Sequence, residues 1–410
     1  MAPMPRALFV TAFAFAFLSS SMAQAWGLAG FRVVAFSAVV ALLALAGVLA
    51  HPRFSARGRD VPMLLLLLYL LLLLANVTRP FDPLDHKILV VLVAMLAAPN
   101  IAAALRETDL PRLVLLLLAF YLAASLLLIE LRDPASLVRG VEGVRRVDVS
   151  GSLVTHSSLT LTALLLFVTR MRESDRALER GLLAAMALLA LAFLFLAATR
   201  TTLLAFLLWL AFDLATRPRG TRLRRLLRLA VPAVALFTAF TWFVSDALWL
   251  RLTSAVGGDY TSGRLHSFAW WLGAALDHPF GMGPGAVRRI MADGRPWLDG
   301  QRLLEWPHNE FLRFFVEGGW IGLGLIVTMV GWLVRQALSV ARATADPLTR
   351  TLALALIADL VAQSLLQNYF NTVYQATVAV LLICMLAERE RVRAAVPRPA
   401  CPLAEAEPAR

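Results

Sequence analysis

Residues Met63–Ala75 read MLLLLLYLLLLLA, a run without a single charge or helix breaker. Soluble domains are about 45–50% apolar and rarely carry such a run, because nothing in water covers it. Working outward with a window of about 19 residues, apolar stretches of spanning length appear at 7–26, 30–50, 61–77, 86–104, 111–131, 152–169, 181–198, 199–216, 226–245, 308–338, 348–366 and 371–387. The whole chain agrees: its 410 residues are 60% hydrophobic and 16% charged, with a mean hydropathy of +0.73. A water-soluble globule is excluded. The fold class expected is an all-α polytopic membrane protein of about 12 transmembrane helices.

Charge organises the rest. The chain has 39 basic residues, of which only Lys87 is a lysine, against 27 acidic ones, for a net +12. Such a basic chain could bind nucleic acid, yet the arginines are scattered through short loops between apolar runs, so nucleic acid is not an expected partner. An even number of spans puts both termini on one side. With the N-terminus inside, the inner loops hold 24 basic residues and the outer ones 15, so the positive-inside rule gives an N-in, C-in orientation. Arg6, the apolar segment Ala7–Leu18 and Ala23-Gln24-Ala25 also fit a cleavable signal peptide, whose removal would leave the downstream orientation unchanged. The expected organisation is nine spans in 1–245, one long outer loop in 246–307, three spans in 308–387, and a disordered cytoplasmic tail in 388–410. Cys384 and Cys401 suggest no disulfide framework.

Basic residues on the translocated side have no topological reason to be there, so their positions are informative. Arg139, Arg145 and Arg146 share one outer loop, Arg200 sits at a turn between spans, and Arg264, Arg288 and Arg289 belong to the long loop. That loop is rich in tryptophan, which suits a membrane interface. Within it, Leu265, Phe268, Ala269, Leu272, Ala275 and Leu276 form a helical stripe over Arg264–Pro279, and Gly281-Met282-Gly283-Pro284-Gly285 stops it. An amphipathic helix lying over the bundle is expected, either interfacial or simply capping it.

Two positions combine the right chemistry with an unusual address. Arg200, in Ala197-Ala198-Thr199-Arg200-Thr201-Thr202, lies where a helix must start; free N–H groups, hydroxyls and a guanidinium there make an anion site, or else an arginine that anchors the turn. His308, in Trp306-Pro307-His308-Asn309-Glu310, opens a span. The positive end of a helix dipole and nearby arginines keep an imidazole neutral, the state a general base requires; a capping histidine is the plainer reading. No metal-ligand spacing, nucleophile elbow or phosphate-binding loop is present, so no metal and no cofactor is expected.

Three stretches together resemble the O-antigen ligase/polymerase superfamily of bacterial inner-membrane proteins. They are Ala198-Thr199-Arg200-Thr201; Ser262-Gly263-Arg264 with His278-Pro279-Phe280-Gly281-Met282-Gly283; and Pro307-His308-Asn309-Glu310-Phe311-Leu312 with Glu317-Gly318-Gly319-Trp320-Ile321-Gly322. The resemblance implies a GT-C-like membrane fold with a periplasmic active site and a metal-independent, inverting transfer of glycan from undecaprenyl pyrophosphate. In size and span number the chain looks most like the ligase (WaaL-type), whose acceptor is lipid A–core. It also implies Arg200 and Arg264 as pyrophosphate ligands and His308 as catalytic base; Arg139, Arg145, Arg146, Arg288 and Arg289 are secondary substrate-binding candidates. The rivals are a Wzy-type polymerase, which would lengthen lipid-linked glycan, and a transporter of polyisoprenoid-linked glycan, which would move the lipid without chemistry.

Overall fold

The structure is a computed structural model describing residues 59–76, 83–131, 138–141, 144–147, 153–218 except 198, 220–227 except 225, 264–293, 297–298 and 302–395, with isolated positions before residue 50. Away from water a backbone must satisfy its polar groups within its own segment, and the apolar runs are accordingly helices. In chain order they are α1 (Asp60–Ala75), α2 (Lys87–Ala104), α3 (Leu110–Leu131), α4 (Leu153–Glu173), α5 (Ala177–Ala197), α6 (Arg200–Ala215), α7 (Arg264–Asp277), α8 (Ala286–Ala292), α9 (Glu310–Ala343), α10 (Pro347–Leu366) and α11 (Val373–Ala395). Two small antiparallel hairpins interrupt them: β1 (Val138–Val141) with β2 (Val144–Val147), and β3 (Trp297–Leu298) with β4 (Arg302–Leu303). Among the described residues, six helices are long and apolar enough to cross a bilayer, namely α2, α3, α4, α5, α9 and α10. This is a membrane protein. The expected spans at 7–26, 30–50 and 226–245 lie outside the described residues apart from isolated positions.

Of these six, α10 is the most enclosed, with 78% of its spanning window buried, whereas α5 has 28% buried. Leu64, Leu67, Leu71 and Leu74 of α1, Leu116 and Phe120 of α3, and Leu182 and Leu188 of α5 are exposed. In water such a surface would be an aggregation patch; in lipid it is the solvent-facing side.

Polar contacts sort the helix ends into two groups. At one end Arg350, opening α10, donates to the Asp213 carboxylate (3.3 Å) and the Thr216 hydroxyl (2.7 Å) at the end of α6. Arg59 reaches Asn100 and Arg389 reaches the Leu105 carbonyl, both at the C-terminal end of α2. At the other end, Asp85 meets α8, Glu310 meets Phe370, and Gln367 meets the start of α6. Helices α7 and α8 pack on α9 at this second end, called here the His308 end.

Two details differ from expectation. The first residues of the expected disordered tail are helical: α11 runs on through Ala395, supported by ion pairs one turn apart, Arg391–Glu388 (3.1 Å) and Arg393–Glu390 (2.7 Å). And α9 does not begin at 308. Asn309 is its N-cap, accepting the Leu312 N–H at 2.9 Å, so Pro307 and His308 precede the helix.

Candidate functional site

The start of α9 is fastened on several sides. Besides capping the helix, Asn309 donates from Nδ2 to the Leu365 carbonyl at 3.1 Å. Glu310 is fully buried; it accepts the Phe370 N–H at 2.5 Å and faces Arg313 at 3.1 Å. These bonds hold the α10–α11 turn against α9. Beside Phe370, Tyr369 is buried too, and loss of water pushes its phenol well above its ordinary value, leaving it a neutral donor.

Between the fixed residues Pro307 and Asn309, His308 adopts φ 43°, a left-handed conformation uncommon for a residue with a Cβ. The first-turn placement expected from sequence is therefore corrected: the imidazole stands just ahead of the cap. It lines an open cleft of about 270 Å³ with Val154, Trp306, Gln363, Gln367, Asn368 and Thr372.

Arg200 is the first residue of α6, as the apolar run anticipated, and Thr199 ahead of it is extended and buried. The Thr199 hydroxyl donates to Ser157 Oγ of α4 at 2.8 Å. Gln367 Nε2 reaches Thr201 Oγ1 at 3.5 Å, so one residue of the His308 cleft also touches the helix start that carries Arg200.

Arg264 is the first residue of α7, and its side chain lies outside the described residues. One turn on, Ser267 Oγ accepts the Glu305 N–H at 3.0 Å, and Trp271 Nε1 donates to the Glu305 carbonyl at 2.8 Å. Helix α7 thus grips the irregular segment that leads into Trp306-Pro307-His308. The face it buries is Ser267, Trp271 and Ala275; of the expected stripe Ala275 is therefore buried, whereas Leu272 and Leu276 are exposed, as is Phe280 just beyond the helix. The helix caps the bundle with one face and offers lipid or interface the other.

The glycine-rich stretches form one joint. Met282 N–H donates to the Val316 carbonyl (2.8 Å), Gly283 N–H to the Glu317 carbonyl (2.9 Å), and Trp320 N–H to the Pro279 carbonyl (3.0 Å). Those bonds fall where α9 breaks its helical path at Gly319, whose φ is 57°. A Cβ on Gly281 would lie 2.5 Å from the Glu317 carbonyl oxygen, so its glycine is required by close backbone approach as well as by its φ of 83°.

The secondary arginines are dispersed. Arg288 Nε and Arg289 Nη1 of α8 are paired with Asp85, at 2.8 and 3.1 Å. Arg139 lies opposite Arg146 in the β1–β2 register, and Arg145 opposite Gly140; their side chains lie outside the described residues. No three His, Cys, Asp or Glu side chains converge among the described residues.

Residues 185–327 match the family model described as O-antigen ligase. The matched stretch begins within α5, ends within α9, and contains Arg200, Arg264, the glycine joint and His308. No curated protein matches the chain. The amides Gln363, Gln367 and Asn368 lie beyond the matched stretch, and in the sequence they stand out only as polar residues near the end of an apolar run. Asp359 and Ser158, the partners of Gln363, carry the general signal of polarity inside a span.

Proposed function

We propose that the protein is a glycosyltransferase of the O-antigen ligase kind, moving a glycan from undecaprenyl pyrophosphate to a sugar hydroxyl of lipid A–core at the periplasmic face of the bacterial inner membrane. The observation that supports it most is the His308 cleft, which shares Gln367 with the start of the Arg200 helix. The stretch similar to O-antigen ligase also includes Arg200, Arg264 and His308.

In this reading His308 removes the proton of the acceptor hydroxyl as its oxygen attacks the donor's anomeric carbon from the face opposite the leaving group. The glycosidic bond to the pyrophosphate breaks, configuration inverts, and undecaprenyl pyrophosphate departs carrying the electron pair. Arg200 and Arg264 hold that pyrophosphate and stabilise its growing charge, a contribution of about 3–4 kcal/mol for each well-placed donor. Arg139, Arg145, Arg146, Arg288 and Arg289 form a secondary basic surround, and the isoprenoid tail lies among the apolar helices. The activated glycosyl–pyrophosphate linkage that breaks supplies the energy, and the scheme uses no cofactor or metal.

The test is transfer by the full-length protein in liposomes, with purified lipid-linked donor and lipid A–core. Normal transfer by His308→Ala or Arg264→Ala overturns the assignment of roles. Product found only as longer lipid-linked glycan identifies a polymerase, and lipid moved with its glycan linkage intact identifies a transporter.

A further inference from the structure

Helix α10 carries Asp359 and Gln363 one turn apart and ends at its C-cap Gln367; the first two are 6% and 3% exposed inside the bundle. Three donors reach the Asp359 carboxylate: the Ser158 hydroxyl on Oδ1 (2.6 Å), and Gln363 Nε2 (2.8 Å) and Gln375 Nε2 (3.2 Å) on Oδ2. Gln363 Nε2 also donates to Ser158 Oγ at 2.6 Å, and Gln375 Oε1 accepts from the Thr155 hydroxyl at 2.9 Å. Every bond in this network runs from a donor to an acceptor without conflict.

A carboxylate accepts only, so it turns the NH2 of Gln363 inward and both of its protons are used there. The carbonyl Oε1 then points away from Asp359. Among the described residues nothing donates to it, and Gln363 lines the His308 cleft. Asn368 lines the same cleft, and its buried Oδ1 has no donor among the described residues. Asn368 Oδ1 is thus a buried acceptor without a donor, a cost that a ligand bearing O–H groups recovers, and Gln363 Oε1 is a second acceptor left over for the same ligand.

We infer that this cleft is the hydroxyl-reading subsite for the acceptor sugar, with Gln363 Oε1 and Asn368 Oδ1 as its hydrogen-bond acceptors and Asp359 as the positioning residue that sets the Gln363 amide. The inference rests on the proposed function and adds which substrate the cleft takes. Two carbonyl oxygens repel a pyrophosphate but match neighbouring hydroxyls on a pyranose, and Trp306 on the wall offers an apolar face to the ring's C–H side. The donor's pyrophosphate then belongs beside Arg200, across Gln367, leaving His308 facing the acceptor.

The experiment is steady-state transfer by the full-length enzyme in liposomes, varying lipid A–core and lipid-linked donor in turn, with thermal unfolding as the control for folding. Gln363→Met is expected to raise the acceptor KM about tenfold and leave the donor KM unmoved, the loss of roughly one hydrogen bond. Asn368→Leu is expected to do the same, and Asn368→Asp, which keeps an acceptor oxygen, to restore the acceptor KM. Asp359→Leu is expected to raise the acceptor KM but add little to Gln363→Met, because both act through one amide. Should Asp359→Leu fail to fold, the Gln363 and Asn368 variants decide. A raised donor KM with an unchanged acceptor KM overturns the subsite, even if His308→Ala abolishes transfer and the proposed function stands. If the wild type transfers nothing to lipid A–core, the proposed function fails on its own. Binding to phospholipid vesicles doped with lipid A–core then decides the subsite: weaker binding by Gln363→Met supports it, and equal binding by both proteins overturns it.

Discussion

Gly319 and Pro279 meet backbone to backbone: a Cβ built on Gly319 would lie 2.0 Å from the Pro279 carbonyl oxygen, which the neighbouring Trp320 N–H uses as its acceptor at 3.0 Å. Through this contact the loop after α7 is docked on the kink of α9, and α7 in turn grips the irregular segment entering His308.

Gly319→Ala therefore meets both a collision and a positive φ, and is expected to cost about 2–3 kcal/mol. Thermal unfolding in detergent checks it. Gly324→Ala is the control, since open space surrounds the position where its Cβ would go; it should match or slightly exceed the wild-type Tm.

Glu310→Ala removes a fully buried carboxylate that faces Arg313 and accepts the Phe370 N–H. Breaking a buried charge pair of this kind costs about 3–5 kcal/mol. Glu310→Gln keeps an acceptor for the amide and should lose less. Faster hydrogen exchange at Phe370 in the alanine variant, with a smaller change in the glutamine variant, would show that this carboxylate holds the α10–α11 turn.

Asp85→Asn takes the counter-charge from Arg288 and Arg289, whose side chains are 41% and 38% exposed. Solvent screens much of that pairing, so the expected loss is only about 1 kcal/mol. Removing the Asp85 charge raises the positive potential at the His308 end, so the donor KM should fall as stability falls, most clearly at low salt. A donor KM that rises instead would remove these two arginines from the basic surround.

His308→Asn separates backbone from chemistry. Asparagine tolerates φ 43° better than other side chains with a Cβ, so the variant should unfold at the wild-type temperature or slightly above it. Losing the base should nevertheless lower kcat by about 10²–10⁴. Unchanged kcat would exclude His308 as the base.

Much of the fold was legible because hydropathy alone decides what enters a bilayer. The run at 86–104 is helix α2, Lys87–Ala104, and the runs at 199–216 and 348–366 are α6 and α10 to within a residue. Local signals also placed the start of α7 at Arg264 and its stop at the Gly281–Gly285 stretch. Details that depend on a partner were not legible. The helical period of α7 accommodates two faces, and only docking on α9 selected Ser267, Trp271 and Ala275 for burial. Pro307 reads as a first-turn proline, yet Asn309 won the cap because its side chain bonds both the Leu312 amide and the Leu365 carbonyl.

By itself the sequence determined the apolar helices and singled out Arg200, Arg264 and His308 as candidates, because each of those follows from transfer free energy and near-neighbour chemistry. Tertiary structure alone decided what surrounds them. It paired Arg288 and Arg289 with Asp85, residues about 200 positions away. It also turned Gln363 through Asp359 and Ser158 toward the cleft of His308. Hydrogen bonds are directional and short-ranged, so their partners exist only once distant helices have packed.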